Sequence, residues 1–270
     1  MSRSNPTENT PNPAVRRYEW NGEAGTIRYY DKEAKKNVDV GTDFTFLLLD
    51  EMASVGGWDD SAGTNGSAIY SNEVRDTRTD VLVVKSFKGG IIAEGLYAQI
   101  KNAVMVQGGQ FVAKCYIAFK EDGGALAIGS LSFKGAALAA WMEFRKQNRA
   151  ELYKNAVRIH NFTEGKKGKV VFRTPVMKVA PITPATNAAA VALDKHLQEW
   201  LTAYLSRTKK DQVDHAGATE VHDQRQPGED DGPELDEEPR HAPAPALTPA
   251  AASASIYTRR STITEDQIPF

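Results

Sequence analysis

Gln110-Phe-Val-Ala-Lys-Cys-Tyr-Ile-Ala-Phe-Lys120 is the stretch that decides the fold. Side chains on a strand alternate between two faces. Phe111, Ala113, Cys115, Ile117 and Phe119 then make one apolar face, leaving Lys114, Tyr116 and Lys120 on the other. Such a clean separation at period two is the mark of a half-buried strand. Cys115 falls on the apolar face, which reads as a buried, inert thiol.

Outward from this strand the same grammar repeats. Short runs rich in Val, Ile, Tyr, Phe and Thr, punctuated by Gly, Asn or Asp, predict strands at Arg16–Trp20, Thr26–Tyr30, Phe44–Val55, Ala68–Arg75, Val81–Phe87, Leu126–Phe133, Ala156–Phe162 and Lys169–Val179. Helices are predicted at Ala93–Val106 and Gly135–Lys146, with Trp141 and Phe144 read as core. A third, about Asn187–Arg207, repeats Leu193, Leu197, Trp200, Leu201 and Tyr204 at three- and four-residue intervals, with Pro184 before it and Thr186 or Asn187 as N-cap. That apolar face docks on the sheet or pairs with a partner chain. Many strands with few helices give a β-rich α+β class. The expected form is an OB-type Greek-key barrel with extra strands and about three helices, and a β-sandwich is the alternative.

The 270 residues suffice for one large domain or two small ones. No apolar run approaches the roughly 20 residues of a membrane span. The first ten residues lack a hydrophobic segment, so no signal peptide is read there. With a single cysteine no internal disulfide can form, which points to a reducing cytoplasm. The net charge of -2 conceals an asymmetry. Residues 1–210 hold 29 Lys and Arg against 22 Asp and Glu, whereas residues 211–270 hold 4 against 13. A basic body with an acidic tail suggests work on nucleic acid.

Residues 1–14 read as a disordered N-terminus, 15–207 as the folded domain and 208–263 as a disordered acidic, Pro/Ala-rich linker. The linker has almost no large apolar side chains and cannot offset the entropy of ordering. At about 55 residues it would reach roughly 40 Å. Beyond it Thr264-Glu-Asp-Gln-Ile-Pro-Phe270 forms a distinct tip. Phe270 can fill an apolar pocket while its α-carboxylate meets a cation, a known mode of C-terminal recognition. Pro269 restricts the peptide, Ile268 adds an apolar group, and Glu265 and Asp266 steer it toward basic rims.

Those last six residues resemble the C-terminus of bacterial and phage single-stranded DNA-binding proteins, which commonly close in Asp-Ile-Pro-Phe; Gln267 stands here in place of the usual acid. In the body, Tyr70-Ser-Asn-Glu-Val-Arg75-Asp-Thr-Arg78, Phe87-Lys-Gly-Gly90 and Ser132-Phe-Lys-Gly-Ala136 are similar to proteins of tailed phages, some described as DNA-binding OB-fold proteins. The resemblance implies binding of single-stranded DNA by the body and recruitment of replication, recombination or repair proteins by the tip. It also implies the cytoplasm of a host cell if the protein is phage-encoded.

Sequence-independent binding of a single strand needs cations for phosphates and aromatic faces for bases. Residues meeting that description are Arg16, Tyr18 and Trp20, then Arg28 and Tyr30, on the first hairpin; Arg75 and Arg78; Lys85, Phe87 and Lys88; Lys114, Tyr116 and Lys120; and Lys134. From Phe144 to Lys178 ten basic residues face only Glu151 and Glu164, and Thr163–Lys169 reads as a hairpin tip whose Lys166, Lys167 and Lys169, with Arg173, could clamp a strand. Phe-Lys-Gly at 87–89 and 133–135 closes a strand before a helix in each case, where a helix N-terminus and a lysine suit a phosphate. No metal-ligand spacing, phosphate loop or dinucleotide fingerprint is found, so neither cofactor nor metal is expected and no enzyme is read. A strand-annealing mediator, a tethered nuclease and a protein-binding module are the competing functions. Self-association into a homo-oligomer is left open.

Overall fold

In the computed structural model, residues 11–60, 66–214 and 216 are described. The chain runs β1 (Arg16–Asn21), β2 (Thr26–Asp31), β3 (Lys36–Gly41), β4 (Phe44–Asp59), β5 (Ser67–Ser71), β6 (Leu82–Ser86), β7 (Gly90–Gly95), α1 (Tyr97–Val106), β8 (Gly109–Lys120), β9 (Leu126–Lys134), α2 (Gly135–Gln147), β10 (Ala156–Lys167), β11 (Val170–Ala180) and α3 (Pro184–Leu205). A short helix at 209–214 follows. All eleven strands belong to one sheet ordered β3-β2-β1-β9-β8-β4-β5-β6-β7, from which β10 branches at β4 and carries β11. The β1–β9 pair is parallel, so the sheet is mixed. A β-rich α+β class is what the strand patterns predicted.

The long strand β4 organises the sheet. One edge pairs with β8 from Phe46 to Gly57. The other is shared by β10 at Phe44–Phe46, a bridge from Ala53 to Val74, and β5 at Gly56–Asp59. A bulge between Leu48 and Asp50 adds one residue and reverses the alternation beyond it.

Phe46 and Leu48 enter a core with Cys115, Ile117, Phe119, Leu131, Phe133 and, from α2, Leu138 and Trp141. Past the bulge Glu51 faces that same side, where its carboxylate accepts from Trp141 Nε1 at 3.0 Å and pairs with Arg145. Burial pushes the Glu51 carboxyl up, and the Arg145 charge opposes that. Leu47, Leu49 and Met52 face the opposite side, against Leu197, Trp200, Leu201 and Tyr204 of α3. The apolar stripe of α3 therefore docks on its own sheet.

Several boundaries differ from expectation. β3 was missed because it offers only Val38 and Val40 in a polar run at a sheet edge. The helix predicted from Ala93 begins at Tyr97; residues 90–95 pair with β6 instead. Phe87-Lys-Gly89 consequently sits in a β-hairpin, not before a helix, while Phe133-Lys-Gly135 does lead into α2. The N-cap of α3 is Thr183, whose hydroxyl accepts from Thr186 N at 3.1 Å, with Pro184 as first helical residue. Residues 209–214, expected to be unstructured, place Gln212 and Val213 in full burial, with Val213 against Tyr70 and Val83. Gln212 donates to the carbonyls of Tyr204, Leu205 and Arg207, which closes the end of α3 with a side-chain amide.

Leu201 is fully buried between α3 and the sheet. Leu201→Ala should cost about 2–5 kcal/mol. Urea unfolding should show a lower midpoint with an unchanged slope.

Candidate nucleic-acid interface

The sheet face that carries α3 is only partly covered. Beside the helix, β2, β1, β9, β8 and β4 leave an open groove whose lining includes Arg17, Tyr30, Ser54, Lys114, Ser132 and Lys134. Its volume of about 90 Å³ is small beside the roughly 300 Å³ at which enclosed ligand pockets begin.

The polar lining residues are there by strand parity. On β9, Leu131 and Phe133 point into the core, so Ser130, Ser132 and Lys134 point to the groove. On β2, Ile27 and Tyr29 face the core, which turns Arg28 and Tyr30 outward. Arg28 lies opposite Glu19 in the β1–β2 register and pairs with it at 2.6 Å. Lys134, about half exposed, stands 3.6 Å from the same carboxylate and is also the N-cap of α2.

β1 shows the main parity correction. Arg16, Tyr18 and Trp20 were expected to present a binding face, but Tyr18 and Trp20 are buried in the core. Tyr18 packs edge-on against Tyr29 and Phe119, and the Trp20 indole donates to Arg173 O at 2.8 Å. Arg16 lies over the rings of Tyr29 and Phe119. The alternate residues, Arg17 and Glu19, reach the groove. The signal that could have found Arg17, Ser130 and Ser132 was the period of two, read with the more apolar set turned inward.

On β8 the separation was right but the polar face is not open. Lys114 is 5% exposed and pairs with Glu73 at 2.7 Å. Tyr116 is fully buried and donates to the other oxygen of Glu73 at 2.7 Å. Burial raises the Tyr116 pKa well above its ordinary value, so the hydroxyl stays protonated. Glu73 N in turn donates to Tyr204 Oη at 2.9 Å. The reason is α3: it covers this stretch of β8, and Trp200 lies 5.9 Å from the Tyr116 ring. Tyr116 therefore offers no face to a base, and Lys114 reaches the groove from beneath as one member of an ion pair.

The remaining expected residues are dispersed. Lys120 is exposed at the end of β8. Arg75 bonds Asp50 and Gln198, Arg78 pairs with Asp76 in its own loop, and Lys85 pairs with Asp214. Phe87 (57% exposed) and Lys88 sit in the β6–β7 hairpin. Lys166, Lys167 and Lys169 are exposed at the end of the β10–β11 ribbon, and Arg173 lies partway along it. The tip residues Glu265, Asp266, Ile268, Pro269 and Phe270 fall outside the described residues.

Cys115 is fully buried and burial pushes its thiol well above the usual range. Among the described residues no group of three His, Cys, Asp or Glu could hold a metal. No helix among them is long and apolar enough to cross a membrane. What fold and groove define together is a β-rich α+β domain carrying a cation-bearing trough on one face of a mixed sheet. No protein-family model, curated protein or solved structure matches the chain.

Lys114 and Glu73 are each 6% exposed in their side chains. Removing one partner of such a pair leaves a buried charge and should cost about 3–5 kcal/mol. Lys114→Met alone should unfold at markedly lower urea, and the Lys114→Met, Glu73→Leu double variant should recover most of the loss.

Proposed function

We propose that the protein binds single-stranded DNA without sequence preference along the groove beside α3. The observation that carries this reading is the trough itself: Arg17, Lys114 and Lys134 line it with Glu19, Arg28 pairs with that Glu19 and Glu73 with Lys114, and Tyr30 and Ser132 stand along its walls. Cations that follow phosphates beside an aromatic ring are the chemistry of single-strand binding. The cationic excess is modest, in keeping with a weak, salt-sensitive grip that many contacts along a strand would add up.

The proposed form of the domain is an OB-type Greek-key barrel. In it β4, β8 and β9 act as its first three strands, α2 follows, and β10–β11 returns to β4. Arg173 N donates to Gly22 O at 2.7 Å, which brings β11 back to the end of β1 and supports closure. In such barrels the face of strands two and three binds oligonucleotides. That face is the β8–β9 surface lining the groove.

The C-terminal tip is the proposed recruiting element for replication, recombination or repair proteins. This rests on its chemistry and on its resemblance to the single-stranded DNA-binding family. A cytoplasmic setting follows from the same reading.

Titration of the full chain with oligo-dT and with duplex DNA over a range of salt checks the proposal. Oligo-dT should bind tighter than duplex, with a log–log salt slope of about −0.7 per phosphate contact. Tyr30→Ala should weaken oligo-dT binding roughly 5- to 150-fold, the equivalent of about 1–3 kcal/mol of stacking. Lys134→Gln should flatten the slope by about 0.7. Equal affinity for paired and unpaired DNA at low salt would overturn the assignment.

A further inference from the structure

The β10–β11 ribbon carries a feature that a groove for single strands does not use. β10 pairs with β4 only at Val157–Ile159; beyond that its register partners are all on β11. The last four ladder residues are Lys166 opposite Val171 and Lys167 opposite Val170, joined through Gly168, at φ 62, and Lys169. Residues directly opposite share a face, and neighbours along a strand point to opposite faces. Each face of the tip therefore presents one lysine and one valine, with Lys169 at the end. Val170 is 66% and Val171 45% exposed. Among the described residues none of the three lysines forms an ion pair.

The tip is held firmly at its base. Trp20 Nε1 donates to Arg173 O, and Arg173 N donates to Gly22 O. The Arg173 guanidinium pairs with Glu164 at 3.2 Å, bonds Glu23 O and lies 5.3 Å from the Phe162 ring. A Cβ at Gly25 would stand 2.7 Å from Arg173 and 2.8 Å from Phe162, so glycine is what lets the β1–β2 turn and the ribbon close on each other. Beyond this anchor the free tip projects roughly 10 Å. The same β1–β2 hairpin lines the groove through Arg17 and Tyr30.

We infer that the ribbon tip is a pin for the junction between duplex and single-stranded DNA: it sits against the last base pair, with one strand passing along each face. A cation and an aliphatic group on both faces match two backbones and the exposed edge of a base pair. A tip meant for one strand would need cations on one face only. The inference rests on the single-strand reading of the groove, which would receive one of the two strands leaving the junction. No bond is made or broken; the tip gains apolar contact at the cost of loosening the last pair, which is worth a few kcal/mol at most.

The test uses the full chain and three DNAs of equal strand length: oligo-dT, a blunt duplex and a fork with two unpaired tails. A 2-aminopurine replaces the last paired adenine of the fork. The native protein should bind the fork about tenfold tighter than oligo-dT or blunt duplex, and the 2-aminopurine should brighten as the pair loosens. Val170→Ser with Val171→Ser, both exposed, should abolish the fork advantage and the brightening while leaving oligo-dT affinity unchanged. A fork bound no tighter than oligo-dT, or a double variant that weakens both equally, overturns the pin while the groove reading stands. Loss of oligo-dT binding in the native protein removes the groove reading instead.

Discussion

The pairing of β4 with β8, with its bulge at Leu49 and Asp50, is the constraint on which the rest depends. A strand of sixteen residues that kept strict alternation would send Phe46, Leu48, Asp50 and Met52 to one side. The extra residue instead leaves Phe46 and Leu48 on one side with Glu51 and Val55, and turns Asp50 and Met52 to the other. Two chemically different anchors result. Glu51 holds α2 through the Trp141 indole and Arg145, while Asp50 holds α3 through Gln198 and the β5–β6 loop through Arg75. Without that shift a carboxylate would lie beneath each helix where the other helix's partner stands. The bulge thus decides which helix covers which face.

From that follows the place of the groove. One side of the sheet is filled by α2 and, toward the far end, by α1 through Tyr97, Ile100 and Val104. The other side receives α3, whose apolar stripe is spent by Tyr204. The helix covers Leu47, Leu49 and Met52 of β4, Tyr116 and Ala118 of β8, Ile128 of β9 and Ala156 of β10. Beyond the helix Lys134 is exposed and Ser132 half-buried, while Ser54 and Ser130 line the groove from buried positions on β4 and β9. At the border between covered and open sheet lies the Lys114–Glu73 pair, with Tyr116 and Tyr204 completing the carboxylate's and backbone's bonds. A buried charge pair is a weak source of stability and a strong source of placement. Here it fixes the loop after β5 against β8 and holds one lysine at the floor of the groove.

How far the sequence revealed this can be judged residue by residue. The apolar face of β8 was legible because five residues alternate without a break, and α3 because its repeat runs for three turns. The wrong orientation of β1 came from weighing Tyr18 and Trp20 as aromatic platforms. Period two says which residues share a face, but only the bulk of the apolar set says which face is inward, and for aromatics with polar tips both answers look alike. Tyr116 failed for a different reason: its face is polar at the level of β8 yet lies under a helix some eighty residues later in the chain. Nothing local to residues 110–120 encodes that cover. Gln212 and Val213 were passed over because one amide and one valine in a hydrophilic run give no periodicity, although both are fully buried.

Rigidity links the groove to the ribbon. A two-stranded ribbon standing alone is marginal in water, since it lacks a third strand or a helix to pack on. This one is braced twice, by three residues of β4 at its root and by Arg173 against the β1–β2 turn midway. The second brace is a single residue whose backbone amide, backbone carbonyl and guanidinium meet Gly22, Trp20 and Glu23 in turn. A tip held in this way presents its lysines from a backbone that is already fixed, which lowers the ordering cost of any contact it makes. The same brace fixes the tip to the hairpin that walls the groove. The spacing between the two sites is therefore a property of the fold and is not set by a flexible loop. That is the condition under which a protein can read the shape of a nucleic acid, not merely its charge.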